Sequence, residues 1–202
     1  MSDTLWGVLA AFTLTPAPTA LTVSRIAEFF DLRARWAMAH NLSGPRALRD
    51  PGGTDLADAA ALAAIVPADM PLVDVGAGSG VPSVLLALLR PELRIVAVEP
   101  LAKRAAFLRQ AAGVLKLTQL SVERGAWPMG LAGTVQVVSR AVFPVSDWPR
   151  RAAEGGEFVA RIHRYLARER PAFGVEGFTL SAALDYAGPD ATPHRLESWS
   201  RC

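Results

Sequence analysis

A chain of 202 residues is the size of one domain, with room at most for a small helical extension. With 51% hydrophobic and 20% charged residues and a mean hydropathy of +0.24, it has enough apolar surface to offset its ordering entropy, which excludes wholesale disorder. Its one cysteine, Cys202, excludes an internal disulfide framework and a cysteine-ligated metal site and fits a reducing compartment, while the formal net charge of +2 conceals a basic middle: residues 90–170 hold fourteen basic side chains against seven acidic ones. All basic residues but Lys103 and Lys116 are arginine. Their planar forks suit phosphate and stacked bases, although so much arginine beside abundant Ala, Gly and Pro equally fits a composition bias in the gene.

The apolar stretch Leu5–Leu14 follows Asp3 with no Lys or Arg, the wrong sign for a secretory signal, and no apolar run approaches the roughly 18 residues of a membrane span. From Thr22 to about His40, Val23, Ile26, Phe29, Phe30, Trp36 and Ala37 recur near a 3.6 period, which predicts an amphipathic helix capped by Thr22 or Ser24. Breaks at Gly44-Pro45 and Pro51-Gly52-Gly53 precede an alanine-rich helix from Thr54 or Asp55 to about Val66. Residues 1–66 thus form an N-terminal helical extension, read as part of the same domain as residues 67–202.

After Pro67 the pattern alternates. Strands are expected at Leu72–Val75, Arg94–Val98, Leu120–Glu123, Val135–Ser139 and Glu157–Ile162, and helices at Pro82–Leu89, Lys103–Leu115 and Asp147–Ala153. Such alternation predicts an α/β fold with a mostly parallel sheet and helices on both faces. Phe178–Ala182 and His194–Trp199 add an antiparallel edge and bring the sheet to seven strands.

The most informative segment is Val73-Asp74-Val75-Gly76-Ala77-Gly78-Ser79-Gly80-Val81-Pro82, which leaves a strand and enters a helix. Glycines at such a turn let the backbone approach a ligand without a Cβ clash. The dinucleotide fingerprint needs its third glycine at position 81, where valine stands, and this spacing disfavours NAD and FAD. The competing structural reading is a tight strand-to-helix turn with acids on a solvated rim.

The glycine pattern after an acidic strand end resembles the first motif of Rossmann-like S-adenosylmethionine methyltransferases. That resemblance implies that Glu99, twenty-three residues after Gly76, accepts both ribose hydroxyls, since a carboxylate has two acceptor oxygens. It also implies that Asp74 faces the amino acid end of the ligand. The run from Val98 to Arg109, with Trp36, Asn41-Leu42, Arg124 and Ser139-Arg140-Ala141, is similar to the GidB/RsmG family of bacterial small-subunit ribosomal RNA methyltransferases over roughly residues 22–165. The implied activity is methyl transfer to N7 of a guanine in 16S ribosomal RNA, on the RNA or the small subunit, by a cytoplasmic monomer. The implied cofactor residues are Asp74, Gly76, Ala77, Gly78, Gly80, Val81, Pro82, Glu99, Pro100, Arg124, Gly125 and Arg140. Lys103 and Arg140 are the implied catalytic cations, and Lys103, Arg104, Arg124, Arg150 and Arg151 the implied RNA contacts.

The chain departs from the family pattern at Asp55, where a histidine is usual, and at Val81, Ser83 and Ala126; Asp58 matches, and a lysine-glycine pair expected beyond the fifth strand is missing, with Arg161 and His163 nearby. Phe143 and Trp148 follow the fourth strand, where a substrate-facing loop would lie, and Trp127 follows the third; unpaired bases would stack there, the alternative being that the tryptophans pack into the core. Scattered His40, His163 and His194 offer no metal-ligand spacing. Guanine N7 carries its own lone pair, so no general base is demanded. With Cys202 the only thiol, covalent pyrimidine C5 chemistry is nearly excluded. The competing functions are a methyltransferase acting on a small molecule and a catalytically silent S-adenosylmethionine-binding paralogue, with a nicotinamide dehydrogenase a distant fourth.

Overall fold

The computed structural model describes residues 2–40, 53–130, 132–166, 174–188 and 191–202; Asn41-Leu42 and the breaks at Gly44-Pro45 and Pro51-Gly52 lie outside them. Among the described residues three helices come first: α1 (Ser2–Leu9), α2 (Ala20–His40) and α3 (Thr54–Ile65). The helix start predicted at Thr22 lies two residues earlier. Thr19 is the capping residue, exchanging backbone and hydroxyl hydrogen bonds with Thr22 at 3.2 Å each way, a reciprocal cap that satisfies two otherwise orphaned donors. For α3 the capping residue is Gly53, which has no side chain to cap with; the expected caps Thr54 and Asp55 lie inside the helix, and Asp55 pairs with Arg33 and Arg140. The apolar segment near the N-terminus makes helix α1, whose Leu5 and Leu9 are buried in the main core together with Leu14.

The sheet is built from β1 (Leu72–Val75), β2 (Ile95–Val98), β3 (Leu120–Glu123), β4 (Val135–Ser139), β5 (Val159–Leu166), β6 (Phe178–Ala187) and β7 (Pro193–Arg201), with α4 (Ser83–Leu89), α5 (Ala102–Val114) and α6 (Trp148–Ala153) in the connections. Its order is β3-β2-β1-β4-β5-β7-β6. The first five strands are parallel, and β7 runs antiparallel to both β5 and β6. The predicted Glu157 start of β5 instead lies in a 3-10 turn, Gly156–Phe158, and the last two strands run longer than their apolar alternation announced, β7 lying inside the sheet and, of the two, only β6 at its edge. Ladder bonding to β5 and to each other carries them past the buried residues.

Side chains alternate across the sheet. Leu72, Ala97 and Val138 join the core built from α1 to α5, whereas Val73, Val75, Val137 and Ile162 join a smaller one closed by Trp148 and Ala152 of α6. Helices therefore cover both faces unequally. The order reverses between β1 and β4, so the connections leaving these strands diverge and open a crevice at their C-terminal ends. No helix among the described residues is long and apolar enough to cross a membrane.

Candidate active site

At that crevice the chain leaves β1 through Gly76, Gly78 and Gly80, with φ of +74°, +56° and +86°. The amides of Gly76 and Ala77 both donate to the carbonyl of Val98, at 2.8 and 3.1 Å, tying the loop to the end of β2. Glycine is required twice over at Gly76: besides its φ, a Cβ there would lie 2.5 Å from Cγ2 of Val142. At Gly80 a Cβ would lie 2.7 Å from Val84 and 3.3 Å from Phe29.

Glu99 stands directly after β2 and is 2% exposed. Its Oε2 accepts from the Gly78 amide and its Oε1 from the Leu101 amide, each at 2.9 Å. The sequence suggested only a ligand acceptor here; the carboxylate also pins the glycine loop to the start of α5. Each oxygen keeps a second lone pair, so capacity for two hydroxyl donors remains.

Asp74, on β1, is 1% exposed, and its Oδ2 accepts from the Ser83 amide at 3.1 Å. Burial pushes its carboxyl up to about 7, with smaller opposing pulls from Ser83 and Arg140. The Ser83 hydroxyl lies near enough to contribute to that pull, yet its Oγ and Asp74 Oδ1 both lack a partner of good hydrogen-bond geometry. A buried acid with an unmet acceptor beside a loop at positive φ fits an ammonium-bearing nucleoside ligand, and Glu99 fits its vicinal diol.

Arg140, the implied catalytic cation, is committed within the protein. Its Nε donates to Asp58 Oδ2 at 2.6 Å and its NH2 group pairs with Asp55 at 2.8 Å; Asp55 also receives Arg33 of α2 at 2.6 Å. Burial opposes its charge, but Asp58 and then Asp55 outweigh it and hold the guanidinium pKa above its ordinary value. Asp58 in addition accepts from Tyr186 Oη of β6 at 2.5 Å, and its carbonyl accepts from Tyr165 Oη of β5 at 3.0 Å. Two arginines thus meet two carboxylates, which corrects the expectation of a spare positive charge at Arg140. Sequence reasoning missed Arg33, Tyr165 and Tyr186. Arg33 had a signal: it occupies a core position in the period of Phe29, Phe30 and Ala37.

Lys103 and Arg104, in the first turn of α5, and Arg124, just after β3, lie at the same edge of the sheet as Glu99 and have no ion-pair partner among the described residues. Pro100 is exposed beside them, Gly125 is half-buried after Arg124, and Val81 and Pro82 are buried where the loop enters α4. Arg150 and Arg151 point to Glu154, at 3.5 and 3.1 Å.

The aromatic residues are not free platforms. Trp148 is 3% exposed, donates to the His163 carbonyl at 2.8 Å and stacks on Phe143 with ring centroids 5.7 Å apart; Trp127 donates to the Arg151 carbonyl at 2.8 Å. Their apolar area closes the thinner face of the sheet, so packing prevails over the base-stacking expectation. His163 is likewise structural: its Nε2 lies 3.0 Å from Gln136 Oε1, and burial lowers its pKa to about 3.

Five parallel strands, a closing antiparallel hairpin and a glycine loop at the order reversal define the Rossmann-like methyltransferase fold class. MtNAS, solved in complex with MTA and tNA, shares that fold, with a TM-score of 0.55 and 14% identity over 90% of this chain and 70% of that one. Residues 22–159 match GidB, rRNA small subunit methyltransferase G, and the chain belongs to that family. It is similar to ribosomal RNA small subunit methyltransferase G of Acidothermus cellulolyticus, 38% identical over 45% of this chain and 40% of that protein. It also resembles the Streptomyces coelicolor protein of the same name, 32% identical over 82% of this chain and 69% of that one. The chain thus spans about two-fifths to a half of the length of several curated relatives that it matches.

Proposed function

We propose that the chain transfers a methyl group from S-adenosylmethionine to N7 of a guanine in small-subunit ribosomal RNA. Membership of the family supports the reaction class. The observation that carries the cofactor reading is the Glu99-pinned glycine loop at the β1/β4 crevice, with spare acceptor capacity on Glu99 and an unpartnered oxygen on Asp74. In this reading Asp74, Gly76, Ala77, Gly78, Gly80, Val81, Pro82, Glu99, Pro100 and Gly125 shape the cofactor site. Arg140 acts through its ion pairs, and Lys103, Arg104 and Arg124 take the RNA phosphates.

The cofactor, when bound, supplies an electrophilic methyl on a sulfonium. Guanine N7 needs no deprotonation, so the protein's task is to hold the two reactants in line, which lowers a barrier by about 7–11 kcal/mol. Glu99 orients the nucleoside through its diol and Asp74 balances the ammonium. The exposed Lys103 can donate to the guanine carbonyl oxygen and so hold the base with N7 facing the methyl group. The neutralised Arg140 leaves phosphate binding to the cations on α5 and after β3.

The test is nucleoside mass spectrometry of ribosomal RNA from cells with and without the gene. A 7-methylguanosine that disappears on deletion and returns with the wild-type chain, but not with Glu99→Ala, supports the reading. Unchanged nucleosides, together with no methyl transfer to free RNA or isolated subunits by folded protein, refute it.

A further inference from the structure

The turn after β4 is held from three sides. Ser139 Oγ donates to the carbonyl of Val75 at 2.9 Å, fastening the end of β4 to the end of β1. Arg140 is clamped to Asp55 and Asp58 of α3. Ala141 then takes φ of +58°, a left-handed turn that non-glycine residues adopt at a cost. The chain is thereby redirected so that Val142 rests against Gly76, close enough that only glycine fits beneath it, while the valine itself is 47% exposed. An exposed apolar side chain in fixed contact with the first glycine of the loop is a wall of whatever space the loop encloses.

The clamp reaches well outside the crevice. Asp58 is shared by Arg140 and by Tyr186, on the outermost strand and beyond the matched stretch 22–159, and the Tyr186 ring packs edge-on against Phe12 at 5.9 Å and stacks on His194 at 5.4 Å. The partly buried hydroxyl of Tyr186 therefore has one evident use, to fix the carboxylate that fixes Arg140.

Resting on the cofactor reading above, we propose that Val142 is the wall against which the aminoacyl arm of the cofactor lies, and that Asp55, Asp58 and Tyr186 are positioning residues that hold it there through Arg140. The arm is the relevant part because Gly76 and Asp74 flank the end of the ligand away from Glu99. Loss of a clamp bond then acts on the arm and not on the nucleoside.

Calorimetric titrations of the full chain with S-adenosylhomocysteine, which carries the arm, and methylthioadenosine, which lacks it, test the proposal. Val142→Ala weakens the first ligand by about three- to tenfold and leaves the second within about twofold, while Val142→Ile restores binding. Tyr186→Phe and Asp55→Asn show the same selectivity. The decisive measurement is the double variant: once Val142 is alanine, Tyr186→Phe has nothing left to position and adds no further loss. Equal weakening of both ligands, or additive effects in the double variant, overturns the proposal and leaves these residues structural. Wild-type protein that binds neither nucleoside overturns the cofactor reading itself, a result distinct from loss of selectivity. Thermal midpoints measured in parallel separate ligand selectivity from global destabilisation.

Discussion

Glu99→Gln tests both the observed loop-pinning role and the proposed ligand-binding role of one carboxylate. In the native protein two backbone amides, Gly78 and Leu101, donate to its two oxygens at 2.9 Å, and the side chain is nearly inaccessible to water. Glutamine keeps one acceptor but turns an NH2 group toward the other amide, so one charge-assisted bond is lost and one buried donor is left unmet. Hydrogen bonds to charged groups contribute about 1.5–3 kcal/mol each, so the variant should lose about 2 kcal/mol of stability. For a chain of this length that lowers the melting midpoint by roughly 4–8 °C. A bound nucleoside diol loses a charged acceptor as well, costing about 1–3 kcal/mol of affinity, or about five- to 150-fold. Urea denaturation without ligand and calorimetric titration with S-adenosylhomocysteine measure the two effects separately. A variant as stable as wild type but defective in binding would refute the loop-pinning role. One that matches wild type in both refutes the assignment of the site.

Two buried groups make opposite contributions to the pH dependence of stability. Asp74 has its pKa raised from 3.8 to about 7, so the folded state binds a proton that the unfolded chain releases, and stability falls as pH rises through that window; Asp74→Asn flattens the fall. His163 has its pKa lowered from 6.5 to about 3, so the unfolded chain binds the extra proton, and stability is lost as pH drops through that range; His163→Gln flattens the loss in pH-dependent denaturation. Gly80→Ala combines a positive φ with a Cβ 2.7 Å from Val84 and is expected to cost about 1–3 kcal/mol in chemical denaturation, whereas Gly125→Ala, with nothing within 4 Å, should be near neutral. Trp148→Phe leaves the buried His163 carbonyl without its donor, and the melting midpoint should reflect a loss of about 1–3 kcal/mol. Its affinity for RNA, measured by filter binding, should be unchanged because the ring faces the core.

The parallel strands and the glycine loop could be placed from the sequence because each leaves a local signature, whereas Glu99 stood out only through the resemblance to a known family. Short apolar runs between glycine and proline breaks mark buried strands, and a G-x-G-x-G turn between strand and helix marks close backbone approach. The last two strands and the start of β5 were less legible, since ladder bonding and not side-chain burial sets where they begin and end.

The state of Arg140 had no local signature. Its partners Asp55 and Asp58 precede it by more than eighty residues, and Tyr186 follows it by more than forty, so only the packing of α3 and β6 around the end of β4 brings the four together. The same reason applies to Trp148 and Trp127, whose composition suited either a core or a stacking surface until the thinner face of the sheet required covering. What the sequence by itself determined is the backbone plan and the position of the glycine loop, because dihedral preference and hydrophobic period act over a few neighbours. Which charges face solvent and which cancel one another was decided by tertiary structure alone, because Coulomb energy and desolvation depend on distances in space and not along the chain.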